Sequence, residues 1–495
     1  MKTISTLILL MCTLTLGAQN FTFDQITNFI SSGDDKTEFS DPENLFGFKG
    51  ELYFTVSKKV GFDSHIYLAK LTADNNIETL HLLNNGQRDY AFYQASVGNR
   101  LFVTKQNNTV TELWWTEDLN TFSKIESPFV GKAVTTPANF QTLDGNLYYT
   151  ATYSDYSTGL FSCNASNLSI KFISKHTAVT NIESLNNNIY YGYTDYFDDD
   201  GDGYADRVDF AIVYYNLTDG ETKLNDDNYA AGTIASANFI KYNKALYFSG
   251  YTADTGYELF SYDGNNIKLI KDIVAGSGNS LPQNMVIVDN MLYFYTVDNR
   301  NMQLHKYNAS NEDFTTCTFN APKESYDKYV CAFKNHFFSN GYGSDYGHEL
   351  FAYKDKSTKA FDINPKASSW SKSSSNPHSL KTIGDNLWFV AKIGSNSNIY
   401  KLYEDNSTSI DNSFNDSKVD FSIAPNPATT YFNVVLEKSD VNGIVNVFDL
   451  SGNIVLSQKI STQNTKVDTQ ILRSGLYVVQ LYTDSGSYTQ KLKIK

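Results

Sequence analysis

Hydrophobic and polar positions along this chain come in short runs, each opened by a polar turn and carried by Leu, Ile or Phe followed by aromatic residues. The runs are Gly50-Glu51-Leu52-Tyr53-Phe54, Asn99-Arg100-Leu101-Phe102, Gly145-Asn146-Leu147-Tyr148-Tyr149, Asn187-Asn188-Ile189-Tyr190-Tyr191, Lys244-Ala245-Leu246-Tyr247-Phe248, Asn290-Met291-Leu292-Tyr293-Phe294, Asn335-His336-Phe337-Phe338 and Asp385-Asn386-Leu387-Trp388-Phe389. Their spacing is about 48 residues, the signature of a repeat architecture. A second run follows most of them by a dozen or so residues, as in Glu112-Leu113-Trp114, Gly159-Leu160-Phe161, Glu258-Leu259-Phe260 and Glu349-Leu350-Phe351. β-Branched and aromatic runs bounded by Asn, Asp and Gly read as strands joined by hairpins. In the fifth repeat the four expected strands are 238–241, 245–250, 258–262 and 267–270.

Four antiparallel strands per repeat, with no 3.6-residue apolar period anywhere, predict an all-β fold in which each repeat is a blade of a β-propeller. Residues 19–410 hold the repeats, and eight anchors favour eight blades over seven. Separate sandwiches need longer units than this period allows. The middle copies resemble repeats of secreted bacterial proteins in which a Glu-Leu-aromatic strand precedes Asp-Gly, here Glu258-Leu259-Phe260-Ser261-Tyr262-Asp263-Gly264. That resemblance implies a propeller and no particular chemistry.

The fourth repeat carries an insertion, Asp198-Asp199-Asp200-Gly201-Asp202-Gly203-Tyr204-Ala205-Asp206-Arg207-Val208-Asp209. With Asp198 as the first position, Asp200, Asp202, Asp206 and Asp209 fall third, fifth, ninth and twelfth. Gly203 stands where the loop must bend, and Tyr204 offers its carbonyl next. A hard cation takes six to eight oxygens, and alternate residues of a tight loop supply them, so the spacing predicts a structural calcium site. Asp in place of Glu at the twelfth position, with no flanking helices, sets the loop apart from an EF-hand sensor.

The two ends of the chain predict where it goes. Met1-Lys2-Thr3, the apolar run Ile4 to Leu16 and Gly17-Ala18-Gln19 read as a signal peptide over residues 1–18. The run is too short to span a bilayer and no other segment approaches that length, so no transmembrane segment is expected. A net charge of -14 disfavours nucleic acid as a partner. Cleavage leaves Cys163, Cys317 and Cys331, an odd number. A Cys317–Cys331 bridge is conceivable, but buried free thiols are the favoured reading.

A polar linker over 411–420 separates the repeats from residues 421–495, where seven basic side chains outnumber five acidic ones, so the acidity belongs to the repeats. Strand runs at 431–436, 443–450, 455–460, 475–482 and 488–494 predict a small β-sandwich. Ala424-Pro425-Asn426-Pro427, Val447-Phe448-Asp449-Leu450-Ser451-Gly452, Leu472-Arg473-Ser474-Gly475-Leu476-Tyr477-Val478-Val479 and the terminal Lys491-Leu492-Lys493-Ile494-Lys495 occur in that order. This region resembles the type A C-terminal sorting domain of the type IX secretion system. The resemblance implies engagement of that machinery, passage through the periplasm, and a final place outside the cell or on its surface, with removal of the module.

Seven histidines are scattered, and no zinc-protease, nucleophile-elbow or phosphate-loop motif appears. His336 reads as a packed strand residue. Glu258 and Glu349 recur at equivalent positions, where a shared turn role outweighs a carboxylate pair for glycoside hydrolysis. The reading is a secreted or surface-displayed binding propeller, with extracellular glycan as the candidate ligand because tyrosines offer stacking faces with polar tips. Its rival is an extracellular polysaccharide hydrolase or lyase with its site on the channel face.

Overall fold

The computed structural model describes residues 21–27, 39–61, 63–86, 91–127, 134–153, 157–176, 178–200, 207–216, 220–223, 239–298, 301–317, 330–343, 347–354, 357–365, 374–404, 421–436, 443–448, 454–460, 462–483 and 486–495. Among them there is no helix, and so none long and apolar enough to cross a membrane. The chain divides into two compact units, Met1–Asp405 and Asn406–Lys495. Residues 1–18 and 411–420, expected to be signal and linker, lie outside the described residues.

The first unit is built from eight four-stranded antiparallel sheets among the described residues. Sheet 1 runs Ser40–Phe48, Glu51–Val60, Asp63–Leu71 and Ile77–Asn84, and sheet 2 Gln94–Val97, Arg100–Asn107, Val110–Thr116 and Ser123–Lys124. Sheet 3 is Val134–Leu143, Asn146–Tyr153, Ser157–Asn164 and Ile170–His176. Sheet 4 is Ala178–Leu185, Asn188–Phe197, Arg207–Asn216 and Gly220–Lys223. Sheet 5 is Ile240–Tyr242, Ala245–Thr252, Gly256–Tyr262 and Ile267–Lys271. Sheet 6 is Gln283–Val288, Met291–Asp298, Asn301–Asn308 and Asp313–Thr316, and sheet 7 Val330–Phe333, His336–Gly343, Gly347–Lys354 and Ser357–Phe361. Sheet 8 takes His378–Ile383, Asn386–Ile393 and Asn396–Glu404 from late in the chain and its outer strand, Phe21–Gln25, from the start.

Each sequence anchor lies on the second strand of a sheet and each following run on the third. From sheet 2 to sheet 8 the first strand of each sheet adjoins the first strand of the next. Sheet 8 adjoins sheet 1, and sheet 1 meets sheet 2 through Ile77–Asn84 against Arg100–Asn107, so the circuit closes. This is the propeller, with the first strands innermost.

Period-2 alternation explains the core. On the second strand of sheet 6, Leu292 and Phe294 pack toward sheet 5, whereas Tyr293 and Tyr295 pack toward sheet 7. One apolar cluster fills each junction: Phe389 and Leu402 with Phe338 and Leu350 between sheets 7 and 8, and Val390 and Ile399 with Leu52 and Phe54 between sheets 8 and 1. Much of the tyrosine excess goes here, since Tyr149, Tyr190, Tyr191, Tyr353 and Tyr400 are fully buried. Cys163, Cys317 and Cys331 are free thiols, two of them buried.

The second unit has a three-stranded sheet of Phe421–Ala424, Tyr431–Leu436 and Asn464–Asp468. Its partner is a four-stranded sheet of Ile454–Ile460, Gly443–Phe448, Gly475–Thr483 and Gly486–Ile494. Phe432, Val434 and Val467 of the first share one apolar cluster with Val445, Val479, Leu492 and Ile494 of the second. The chain after Pro425 bonds to the last strand: Asn426 Nδ2 donates to the Lys491 carbonyl (2.6 Å), the Ala428 amide to that of Lys493 (2.8 Å), and the Lys495 amide to that of Ala428 (2.9 Å).

Candidate functional site

In a four-stranded meander the turn between the second and third strands and the connection to the next sheet leave from the same end. That end therefore gathers the Asp-rich insertion and the loops beside Glu258 and Glu349.

The insertion lengthens the central hairpin of sheet 4. Pairing continues to Phe197↔Arg207, so the third strand starts at Arg207, within the insertion, because Arg207–Phe210 finds partners in Thr194–Phe197. Asp198, Asp199 and Asp200 are exposed at the tip. Asp202, Tyr204 and Asp206 lie outside the described residues, and Asp209 stands on the third strand opposite Asp195 in the ladder. Below the tip, His176 Nδ1 donates to Asp195 Oδ2 (2.9 Å) and its ring stacks on Tyr193 (3.9 Å between centroids, 15°). That pair ties sheet 3 to sheet 4, and sequence inspection gives no sign of it.

Glu258 and Glu349 prove to be clamps. Glu258 is fully buried and accepts from the amides of Ile273 (3.0 Å) and Val274 (3.1 Å) and from Ser280 Oγ (2.6 Å). Glu349, also fully buried, accepts from the amides of Ile363 (3.1 Å) and Ser375 (2.9 Å) and from Ser375 Oγ (2.5 Å). Each serine then passes the connection on, its carbonyl taking the amide of Val297 in sheet 6 (2.8 Å) or Lys392 in sheet 8 (2.7 Å). Burial raises both carboxyls, Glu349 up to about 7, against the lowering effect of these hydrogen bonds. Asn398 holds the equivalent register in sheet 8, where Thr27 Oγ1 bonds to its Oδ1 (3.3 Å) and takes the Ile399 amide (2.9 Å). Opposite each glutamate stands a glycine: a Cβ at Gly250 would come within 2.7 Å of the Phe260 ring, and one at Gly341 within 2.6 Å of Phe351.

Three carboxylates, Asp41, Glu43 and Glu183, occupy inner strands. Glu43, in sheet 1, is raised by burial and then by Asp41, with Lys392 opposing. Glu183, in sheet 4, is raised by burial, and Gln141 Nε2 of sheet 3 donates to it (2.5 Å). His336 packs edge-on to Phe21 (4.9 Å) and its Nδ1 donates to the Lys334 carbonyl (2.8 Å), a strand residue as expected. Among the described residues no three His, Cys, Asp or Glu side chains cluster as metal ligands do.

Residues 422–495 match the family described as the secretion system C-terminal sorting domain. No curated protein matches the chain. Among solved structures, a puromycin-hydrolyzing peptidase of Mycobacterium tuberculosis is 9% identical over 71% of this chain and 57% of its own, with a TM-score of 0.44. The chain thus spans little more than half of that peptidase. The β-propeller domain of the Trilobed protease from Pyrococcus furiosus, of open velcro topology, is 12% identical over 66% of this chain and 100% of its own (TM-score 0.43). PorZ, a surface component of the type IX secretion system of Porphyromonas gingivalis, is 10% identical over 91% of this chain and 75% of its own (TM-score 0.30). The order of motifs at the chain's end, the closed two-sheet unit they build and the family match over that unit agree: residues 422–495 are a type IX secretion C-terminal sorting domain, and the propeller protein that carries it is exported to the cell surface or beyond.

Proposed function

We propose that the propeller is a binding module for extracellular glycan, presented outside the cell by way of its sorting domain. The observation that carries this is the fate of the recurrent glutamates. Glu258 and Glu349 spend their oxygens on backbone amides and serines, while aromatic rings stand at the same end of the sheets, Tyr196 being 55% exposed. Aromatic faces with polar edges suit sugar rings, whereas clamped carboxyls serve poorly as acid and base. Residues 19–410 form the binding unit in this reading, with 1–18 as its export signal and 411–420 as the tether. The insertion holds calcium through Asp198, Asp200, Asp202, Asp206, Asp209 and the Tyr204 carbonyl, and the ion stiffens the long hairpin of sheet 4.

One observation favours the rival reading of a polysaccharide hydrolase or lyase: Glu43, an inner-strand residue at the surface whose carboxyl is raised by partial desolvation and by Asp41, has the character of a proton donor. Incubating the purified mature protein with a panel of polysaccharides separates the two. The binding module is retained on at least one polymer and releases nothing. Steady release of reducing or unsaturated ends, abolished by Glu43→Gln, would establish the enzyme instead.

A further inference from the structure

Two segments of the propeller are near-copies. Gly250-Tyr251, Asp254, Gly256-Tyr257-Glu258-Leu259-Phe260 and Gly341-Tyr342, Asp345, Gly347-His348-Glu349-Leu350-Phe351 share their spacing throughout and their residue types at every position but one, where Tyr257 corresponds to His348. Most members have a packing reason. The first glycine admits a phenylalanine ring, the glutamate clamps the connection, and Leu259, Phe260, Leu350 and Phe351 are core. A side chain at Gly256, whose φ is +65°, would meet the Gly278 carbonyl.

The aromatic residues are the remaining members of the set. Tyr251 pairs with Tyr257 and Tyr342 with His348 one register step beyond the glutamates, at the tips of the hairpins, and all four rings are partly exposed. Centroids lie 5.0 Å apart at 49° in sheet 5 and 5.2 Å apart at 58° in sheet 7. At the same register the other sheets hold Ser57–Ile66, Gln106–Thr111, Thr152–Thr158, Thr194–Phe210, Val297–Met302 and Lys392–Ser397, none with two aromatic rings.

We infer that sheets 5 and 7 carry two copies of one carbohydrate subsite, each built on this inclined ring pair. The inference rests on the glycan reading and adds to it a place, a number and a sugar class. Two rings inclined to one another form a notch in which the C–H face of a pyranose packs. Polar groups fixed beside the notch supply direction: Asn279 Oδ1 takes the Tyr257 amide (2.9 Å) and Ser374 Oγ the His348 amide (3.0 Å). Asp254 stands in the hairpin turn between Tyr251 and Tyr257, and Asp272 and Asp362 follow the outer strands of sheets 5 and 7, in a chain of net charge -14. Uronate polymers are repelled, and neutral or amino-bearing hexopyranose chains are accepted. Two weak subsites on one rigid ring hold a polymer far better than either alone.

Affinity electrophoresis of the mature protein in gels containing mixed-linkage β-glucan, glycol chitosan or polygalacturonate tests this. Retardation is expected in one of the first two gels and not in the third. Tyr251→Ala and Tyr342→Ala should each weaken it several-fold and the double variant at least tenfold, while Tyr251→Phe with Tyr342→Phe keeps it because the rings remain. A double alanine variant with unchanged thermal midpoint and unchanged retardation overturns the subsites and leaves the glycan reading standing. Retardation by polygalacturonate alone overturns the sugar class. No retardation of the native protein in any gel overturns both.

Discussion

Glu349 shows what a buried charge does in this fold. Replacing it with Ala strands the amides of Ile363 and Ser375 without an acceptor, at roughly 1–3 kcal/mol each, so Glu349→Ala should lower unfolding stability by about 2–6 kcal/mol in urea melts. Glu349→Gln keeps an acceptor oxygen and should cost about 1 kcal/mol. The same residue gives a pH signature. Its folded carboxyl titrates at about 7 against 4.5 in the unfolded chain, so the folded state holds the proton more tightly and stability is lost as pH rises from 4.5 to about 7. His305 acts oppositely: buried between Thr296 and Thr316 it titrates at about 4 instead of 6.5, and stability is lost as pH falls across that window. The deficit of Glu349→Gln relative to the native protein should therefore shrink as pH rises from 4.5 to 7, and a constant deficit would contradict the account. The recurrence of Glu258 and Glu349 was legible in the sequence as a shared structural role. Their serine partners were not, because Ser280 and Ser375 stand 22 and 26 residues away in connections of unequal length.

The hairpin of sheet 4 is the element where sequence and structure part. Period-2 alternation with bounding Asn and Gly placed the second strands of all eight sheets, since those residues face a junction on both sides. It placed the hairpin extension poorly, because Arg207-Val208-Asp209-Phe210 mixes charge with apolar residues and reads as loop until the partners across the ladder are known. In the sorting domain Phe421–Ala424 and Asn464–Asp468 escaped for a related reason: the first is short and the second has a single apolar residue, Val467, facing the core. The calcium assignment is tested at this scale. An ion bound only by the folded state stabilises by about 2.7 kcal/mol at a hundredfold excess over Kd. Chelator should lower the thermal midpoint, millimolar calcium should restore it, and Asp200→Ala should abolish the response. Equal midpoints with and without chelator would leave the insertion a plain acidic turn.

At the scale of the whole molecule, the first strand and the last propeller strand share one sheet, Phe21 standing opposite Glu404. Closing the ring therefore needs both ends of the repeat region, and Thr27 and Asn398 fasten them. The eight anchors, which favoured eight blades over seven, fall one to each of the eight four-stranded sheets among the described residues. That the eighth sheet borrows its outer strand from the start of the chain was not legible in them, because Phe21-Thr22-Phe23 has the look of any short strand and only the register with Tyr400–Glu404 assigns it. The sorting domain was the most legible part, its motifs lying in order where the family match places them. The central claim is that this domain takes the propeller out of the cell, and one measurement tests it most directly: immunodetection in cell fractions of the full chain and of a chain ending at residue 420, expressed in a type IX-secreting bacterium. The full chain should be found on the surface or in the medium, and the shortened one folded but retained inside the envelope. Equal export of both would contradict the account.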